Sequence, residues 1–437
     1  MGSNPVRVKV LGGLAEWQCV RLESGWEKSL AGSSPAPSVM IILAIETSCD
    51  ETAIAVLNAK GGMKNSSFEI LANVVASQIK IHAKWGGVVP NLAKREHKRS
   101  LPIVLYKALG EAKLINPKHE IRNPKQILNT KYKILNTIDV IAVTIGPGLE
   151  PALWTGINFA LDLSKVWDKP IIGINHMEAH IFSAFLKNKK CFGFRISDFG
   201  FPAVALLVSG GHTELVLVKN WLKYKIIGQT RDDAAGEAFD KVAKMLGLPY
   251  PGGPEISKIA SKFKSEARST KFEIKLPRPM INSKDYDFSF SGLKTAVLYL
   301  LRDLGAKKSG FRRIPRYDRS KENQFLGDAL KIAICREFQQ AVIDVLISKT
   351  IRAAKEFKVK TIILGGGVAA NKELRRQMSK AIQNQIPNSK FLIPNTKYTT
   401  DNAAMIAVAA YFRALKKKSA SWRTNWKTLK ANGNLEL

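Results

Sequence analysis

The sequence predicts an α/β protein of two lobes, and three observations carry that prediction. From Met40 onward, apolar strand-like runs alternate with helix-like stretches. Several of those runs end in loops of small or hydroxylated residues, the kind that lets backbone approach a ligand. At 437 residues and 45% hydrophobic content, the chain can bury one large core or two medium ones.

The first run, Ile41-Ile-Leu-Ala-Ile45, enters Glu46-Thr-Ser-Cys-Asp-Glu-Thr52 and continues as Ala53-Ile-Ala-Val-Leu57, which reads as a hairpin. A helix is predicted over 100–111 and a buried strand over 140–145. Pro170-Ile-Ile-Gly-Ile174 reads as a strand and passes directly into a helix beginning at His176. The strand 203–208 ends in Ser209-Gly-Gly-His-Thr213 and resumes at Glu214. Helices follow over 235–246 and 327–350. The strand 361–364 then runs into Gly365-Gly-Gly-Val-Ala-Ala-Asn371, placing a Gly-rich turn at the start of a helix over 372–381. A last helix is predicted over 402–415. None of the loops matches the Walker or Gly-x-Gly-x-x-Gly pattern, so they point to a nucleotide held between lobes by other means.

The net charge of +32 implies a polyanionic partner, nucleic acid first. Three segments concentrate it: 113–133, 302–321 and 413–430. The second contains Phe311-Arg-Arg-Ile-Pro-Arg-Tyr317 and the third holds Trp422 and Trp426, aromatics among cations that suit stacking plus phosphate contact. Solvated loops are the plainer reading of each. Four scattered cysteines (Cys19, Cys49, Cys191, Cys335) make neither a disulfide framework nor a Cys-x-x-Cys zinc site. No apolar run reaches the roughly 18–20 residues that span a bilayer. Residues 1–39 lack periodicity and read as a start codon placed too early. Glu16, Glu23 and Glu27 argue against a transit peptide.

His176 and His180, in His176-Met-Glu-Ala-His180, are four apart and share a helical face, the geometry for two nitrogens on one metal ion. Two partly buried histidines without an ion is the alternative. Glu178 lies between them rather than in His-Glu-x-x-His order, which weakens a peptidase reading. Asp401 precedes the last helix, where it is a natural N-cap or a third metal ligand. Asp233, Glu237 and Asp240 are spaced to share one helical face, facing ribose hydroxyls, a metal-bound water or only solvent.

Taken in order, the motifs identify a family. The segments Ala44-Ile-Glu-Thr-Ser-Cys-Asp-Glu-Thr52, Gly86-Gly-Val-Val-Pro90, Gly146-Pro-Gly-Leu149 and His176-Met-Glu-Ala-His180 are followed by Leu207-Val-Ser-Gly-Gly-His-Thr213 and Asp232-Asp-Ala-Ala-Gly-Glu-Ala-Phe-Asp-Lys241. Tyr250-Pro-Gly-Gly-Pro254, Asp287-Phe-Ser-Phe-Ser-Gly-Leu-Lys294, Gly366-Gly-Val-Ala-Ala-Asn371 and Thr400-Asp-Asn402 complete the series. From Met40 to about Lys430 the chain resembles the TsaD family of tRNA threonylcarbamoyladenosine transferases.

The resemblance implies a two-lobed actin/Hsp70/sugar-kinase-like fold with its active site in the interlobe cleft. It implies transfer of a threonylcarbamoyl group from threonylcarbamoyl-AMP to the exocyclic amine of adenosine 37 in ANN-decoding tRNAs, releasing AMP. A non-catalytic tRNA-binding or scaffold member of the same fold is the alternative. His176, His180 and Asp401 would hold one divalent metal ion per subunit, iron ahead of zinc. Leu207, Val208, Ser209, Gly210, Gly211, Asp240, Gly253 and Asn371 would hold the adenylate. A TsaB-like paralogue and a TsaE-like ATPase are the implied partners, without a membrane. The implied location is the cytoplasm, or the mitochondrion should residues 1–39 be a transit peptide. The expected organisation is an extension at 1–39, a first lobe at 40–172, a second lobe with the metal and adenylate site at 173–405, and a closing helix with basic tail at 406–437. Three positions depart from the family pattern: Asn91 in place of Glu, Glu150-Pro151 in place of a small or apolar pair, and Asn175 where some members have a third histidine.

Overall fold

The computed structural model describes residues 39–115, 136–186, 199–262, 274–309, 327–416 and 429–437. The predicted extension at 1–39, apart from Val39, and most of the three basic segments, with Trp422 and Trp426, lie outside the described residues.

The chain builds the same five-stranded sheet twice. The first sheet comprises β1 (Val39–Glu46), β2 (Glu51–Lys60), β3 (Ser67–Ser77), β4 (Val140–Gly146) and β5 (Ile171–Asn175), in the order β3-β2-β1-β4-β5. The second comprises β6 (Ala203–Val208), β7 (Thr213–Asn220), β8 (Lys223–Gln229), β9 (Thr361–Gly365) and β10 (Lys390–Leu392), in the equivalent order β8-β7-β6-β9-β10. In each, the first three strands form an antiparallel meander and the last two add in parallel. Parallel strands need long crossovers. These are α1 (Pro90–Glu111) and α2 (Glu150–Trp167) in the first lobe. In the second they are α4 (Ala235–Met245), α5 (Gly252–Ser261), α6 (Ser291–Ser309), α7 (Asp328–Glu356) and α8 (Lys372–Gln385). Each sheet is followed by one more helix, α3 (His176–Ser183) after β5 and α9 (Ala403–Lys416) after β10. This repeated arrangement is the two-lobed actin/Hsp70/sugar-kinase fold.

Both faces of each sheet are covered, which is why the strands read as unbroken apolar runs. Met40, Ile42 and Ala44 of β1 face a central cluster, while Leu43 and Ile45 face the helices outside. β6 alternates likewise, with Ala203, Ala205 and Leu207 inward and Val204, Leu206 and Val208 outward. The central cluster is filled by α3 and α9, which pack on each other. Alanine at inward strand positions and along α9 (Ala403, Ala404, Ala407, Ala410) lets these elements approach closely. The boundary expected at residue 172 falls within β5, and the one at 405 within α9.

Candidate metal centre in the interlobe cleft

The duplicated fold places α3 and α9 side by side, and the starts of these two helices carry the site. Asn175 caps α3, its Oδ1 accepting from the Glu178 amide at 3.0 Å, so the helix begins at His176. One turn later His180 presents its ring to the same side. The two Nε2 atoms are 3.1 Å apart, and each lies 3.3 Å from Oδ1 of Asp401. His180 is fully buried and His176 nearly so. Among the described residues, these three form the one group of His, Cys, Asp and Glu side chains arranged to hold a metal ion.

The N-cap expected of Asp401 belongs to its neighbour. Asn402 Oδ1 accepts from the Met405 amide at 3.2 Å, and its Nδ2 donates to the Tyr398 and Thr400 carbonyls. With Asn402 closing the helix, Asp401 is free to turn inward.

Behind His176 stands Glu46, the last residue of β1 and fully buried. Its Oε2 lies 3.1 Å from His176 Nδ1 and accepts from the Thr144 hydroxyl at 2.6 Å, while Oε1 accepts from the Ser48 amide at 2.5 Å. A proton on Nδ1 facing Glu46 leaves the Nε2 lone pair pointing at Asp401 and His180. Burial opposes charge on Glu46, yet His176 holds it below the usual carboxylate range. Burial likewise opposes charge on His176, but Asp401 and Glu46 raise its pKa well above the ordinary value. Burial lowers that of His180. Sequence reasoning did not single out Glu46, although it lies in phase with Met40, Ile42 and Ala44 on the inward face of β1, where a charged residue is out of place.

Glu178 takes no part. It is fully buried on another side of α3, accepting from the Tyr224 hydroxyl at 2.9 Å and from Arg413. A carboxylate so engaged is no general base, which removes the basis for a peptidase reading.

The cleft walls come from both lobes. The hairpin loop between β1 and β2 brings Cys49, Asp50 and Glu51, and burial followed by repulsion from Asp50 and Asp401 pushes the Glu51 pKa well up. Across the cleft, burial and then the fields of His176 and His180 push His212 down to about 4, so it is neutral near the trio at neutral pH.

The eight residues expected at the adenylate divide into two groups. Leu207 and Val208 are buried at the end of β6, leaving only backbone to offer, and Gly210 and Gly211 have open space where a side chain would project. Ser209 closes a tight turn with His212, and Gly236 of α4 packs so closely on Ser209 and Gly210 that a Cβ there would clash. Asp240 and Asn371 are occupied within the protein. Asp240 Oδ1 accepts from the Gly252 amide at 2.7 Å and Asp240 also bonds the Gly253 amide, tethering α5. Asn371 caps α8 through the Glu373 and Leu374 amides and donates to Ser257 and Gln339. Asp233 and Glu237 do not join Asp240; both pair with Lys241, and Asp233 also pairs with Lys294. A shared helical face fails because Asp233 precedes the helix, which starts at Ala235.

The family profile of the TsaD tRNA N6-adenosine threonylcarbamoyltransferases matches residues 69–119 and 124–408, well over half of the chain. The chain belongs to the TsaD family. The tRNA N6-adenosine threonylcarbamoyltransferase of Thermosipho melanesiensis is 44% identical over 373 residues, covering 85% of this chain and 94% of that one. The enzyme of the same name from Thermosipho africanus is 44% identical over 398 residues, covering 91% and 100%. Among solved structures, T. kodakarensis HypF has a TM-score of 0.48 at 12% identity, over 87% of this chain and 48% of that one.

The departures from the TsaD pattern have local accounts. Asn91 is exposed in the first turn of α1, and Glu150-Pro151 open α2, where an acid and a proline both favour a helix start. Asn175 does double duty: beyond capping α3, its Nδ2 donates to the carbonyls of Leu435 and Glu436. The terminal segment 429–437 is also tied to the first lobe through Ile145 and Gly148.

That segment sets Glu436 near Glu214 on β7. Burial, and then Glu436, push the Glu214 carboxyl up to about 7 from 4.5, and its Oε2 has no hydrogen-bond partner among the described residues. A carboxyl whose folded pKa is raised binds more protons folded than unfolded, so stability falls as pH rises from about 4.5 to about 7 and is level above. Glu214→Gln is expected to stabilise the protein by ~1–3 kcal/mol at pH 8 and to lose that advantage near pH 4. Urea unfolding of both proteins at the two pH values measures this; equal effects at both would contradict it.

Proposed function

We propose that this TsaD-family transferase moves a threonylcarbamoyl group from threonylcarbamoyl-AMP to the exocyclic amine of adenosine 37 in ANN-decoding tRNAs, with release of AMP. The observation that carries the reading is the convergence of His176, His180 and Asp401 from two paired helices onto one point of the interlobe cleft. The spacing fits an ion. Donor atoms about 2.1 Å from one centre and about 100° apart lie about 3.2 Å from each other, close to the separations of 3.1 and 3.3 Å. Two imidazole nitrogens and a carboxylate suit iron and zinc alike. We favour iron, one ion per subunit. When bound, it would supply a template and Lewis acid for the acyl group.

The donor is a mixed anhydride and already activated, so the protein needs no nucleophile of its own. Cys49, of the two described thiols the one in the loop beside the site, is unsuited to that role: burial, and then Asp50 and Asp401, raise its pKa well above the ordinary value. The remaining work is positioning. The open loop at Gly210 and Gly211 offers backbone amides to the adenylate, and the Asp240–Gly252 bond fixes the neighbouring wall. We assign Leu207 to Gly211, Gly253 and the Asp240 and Asn371 supports to adenylate binding. We also propose a TsaB-like paralogue and a TsaE-like ATPase as partners, and the cytoplasm as location. No helix among the described residues is long and apolar enough to cross a membrane.

The test is nucleoside mass spectrometry on an ANN-decoding tRNA. The tRNA is incubated with metal-loaded protein, threonine, bicarbonate, ATP and an adenylate-forming synthase, with and without the two partners. Threonylcarbamoyladenosine is the expected product. Its absence in every mixture, with metal and tRNA both bound, overturns the reading.

A further inference from the structure

We infer that Trp85, on the rim of the cleft, is a stacking platform for an unpaired base of the tRNA substrate. The inference rests on the proposed function and names a residue that positions its substrate. Of the large hydrophobic side chains among the described residues, Trp85 is the most exposed, at 67%. A lone exposed hydrophobe ordinarily calls for no explanation. This one is held out by a braced support. It ends a single 3₁₀ turn, Ala83–Trp85, closed by Gly86 in the left-handed region at φ 69°. Beneath the turn, fully buried His82 bonds Gln78 through Nε2 at 3.0 Å and accepts from the Val89 amide at 3.3 Å. The backbone N–H of Gln78 in turn donates to the Asp50 carbonyl at 2.9 Å, so the turn is fastened to the hairpin loop that lines the cleft.

Two further observations place the indole beside a polyanion. Gly86 faces the opposite lobe: a Cβ there would lie 3.2 Å from Nζ of Lys244 on α4. The turn therefore stands where the lobes meet. Lys84 precedes Trp85 in the same turn, Lys80 lies one turn earlier and Lys244 stands beside Gly86, and all three are exposed. The first turn of α1 carries no acid, and Lys94/Lys98 are like charges one turn apart, whereas Arg95 and Arg99 both reach Glu96 between them. Cations toward a helix start and like charges at that spacing destabilise an isolated helix, and an anionic partner offsets both. An aromatic face framed by cations is how proteins take up single-stranded nucleic acid, with the base on the ring and the phosphates on the lysines. Reaction at adenosine requires its base to leave the loop stack, which exposes neighbouring bases to such a surface.

The test uses full-length, metal-loaded protein, with fluorescence polarisation of two RNAs: a stem-loop carrying the anticodon loop, and a fully paired duplex of equal length. Trp85→Ala is expected to weaken stem-loop binding about tenfold, leaving duplex binding, metal content, thermal midpoint and the salt slope unchanged. Trp85→Phe is expected to keep most of the affinity. Lys84→Gln, removing a phosphate contact, should instead lower the salt slope by about 1 for both RNAs. Unchanged stem-loop binding by Trp85→Ala overturns the inference, as does an equal loss on the duplex or an equal loss in Trp85→Phe. Failure of the wild-type protein to modify tRNA at all would overturn the functional reading and this inference with it. Normal wild-type modification with a fully active Trp85→Ala overturns the platform alone.

Discussion

His180→Ala is expected to lose its bound metal and to reduce threonylcarbamoyladenosine formation by more than about a hundredfold, beyond what disturbing a metal's outer partners does. One of three donors disappears, and a carboxylate and one imidazole make a poor site for either iron or zinc. The fold should survive. His180 is buried, so the cavity costs about 2–3 kcal/mol, but its Nδ1 has no hydrogen-bond partner among the described residues and orphans nothing. His176→Ala is a different experiment. It removes the imidazole that pairs with Glu46, which stays fully buried with only the Ser48 amide and Thr144 hydroxyl for company. Breaking a buried pair from one side costs about 3–5 kcal/mol, so His176→Ala should melt well below His180→Ala. Adding Glu46→Gln to His176→Ala should restore stability without restoring activity. Metal analysis and thermal unfolding of the three proteins separate these outcomes. Full metal occupancy in His180→Ala would end the assignment.

What could be read in the sequence follows from how each element is buried. β1, β4, β6 and β9 are covered on both faces, so their apolar runs are continuous and their limits nearly visible. β3 and β8 lie at sheet edges with mixed burial, and β10 has three residues; none carries a pattern strong enough to find. α1 begins at Pro90, ten residues before its predicted start, because its first half is charged and Pro102 sits in its interior. The histidine pair was legible because spacing of four is a local signal, confirmed here as a shared face. Asp401 and Asn402 are adjacent and equally able to cap, and only the structure distinguishes the one that does. Glu46 and His176 meet across 130 residues of sequence, which no local pattern encodes. The cleft itself arises from a fold repeated within the chain, not from any motif.

Glu46→Gln tests whether that distant carboxylate governs the metal centre. The wild-type carboxylate can only accept, so it draws the His176 proton to Nδ1 and leaves Nε2 bare. Glutamine keeps the shape but brings an NH₂ group. With its oxygen serving the Ser48 amide, that NH₂ takes the other position, where the Thr144 hydroxyl can turn to accept from it; there it faces Nδ1 and drives the ring proton to Nε2, the atom aimed at His180 and Asp401. The site then holds the wrong tautomer, and metal binding must first displace a proton. Affinity should fall about 10–100-fold, read by competition against a chelator of known strength. Activity should fall with it at limiting metal and recover when metal is in excess, because Glu46 touches neither substrate nor the reacting atoms. The thermal midpoint of the metal-free variant should not drop as that of His176→Ala does, since no buried charge is stranded. Wild-type metal affinity in Glu46→Gln would reduce Glu46 to a support for Thr144 and Ser48. A loss of activity that excess metal cannot restore would instead give it a direct part in the reaction.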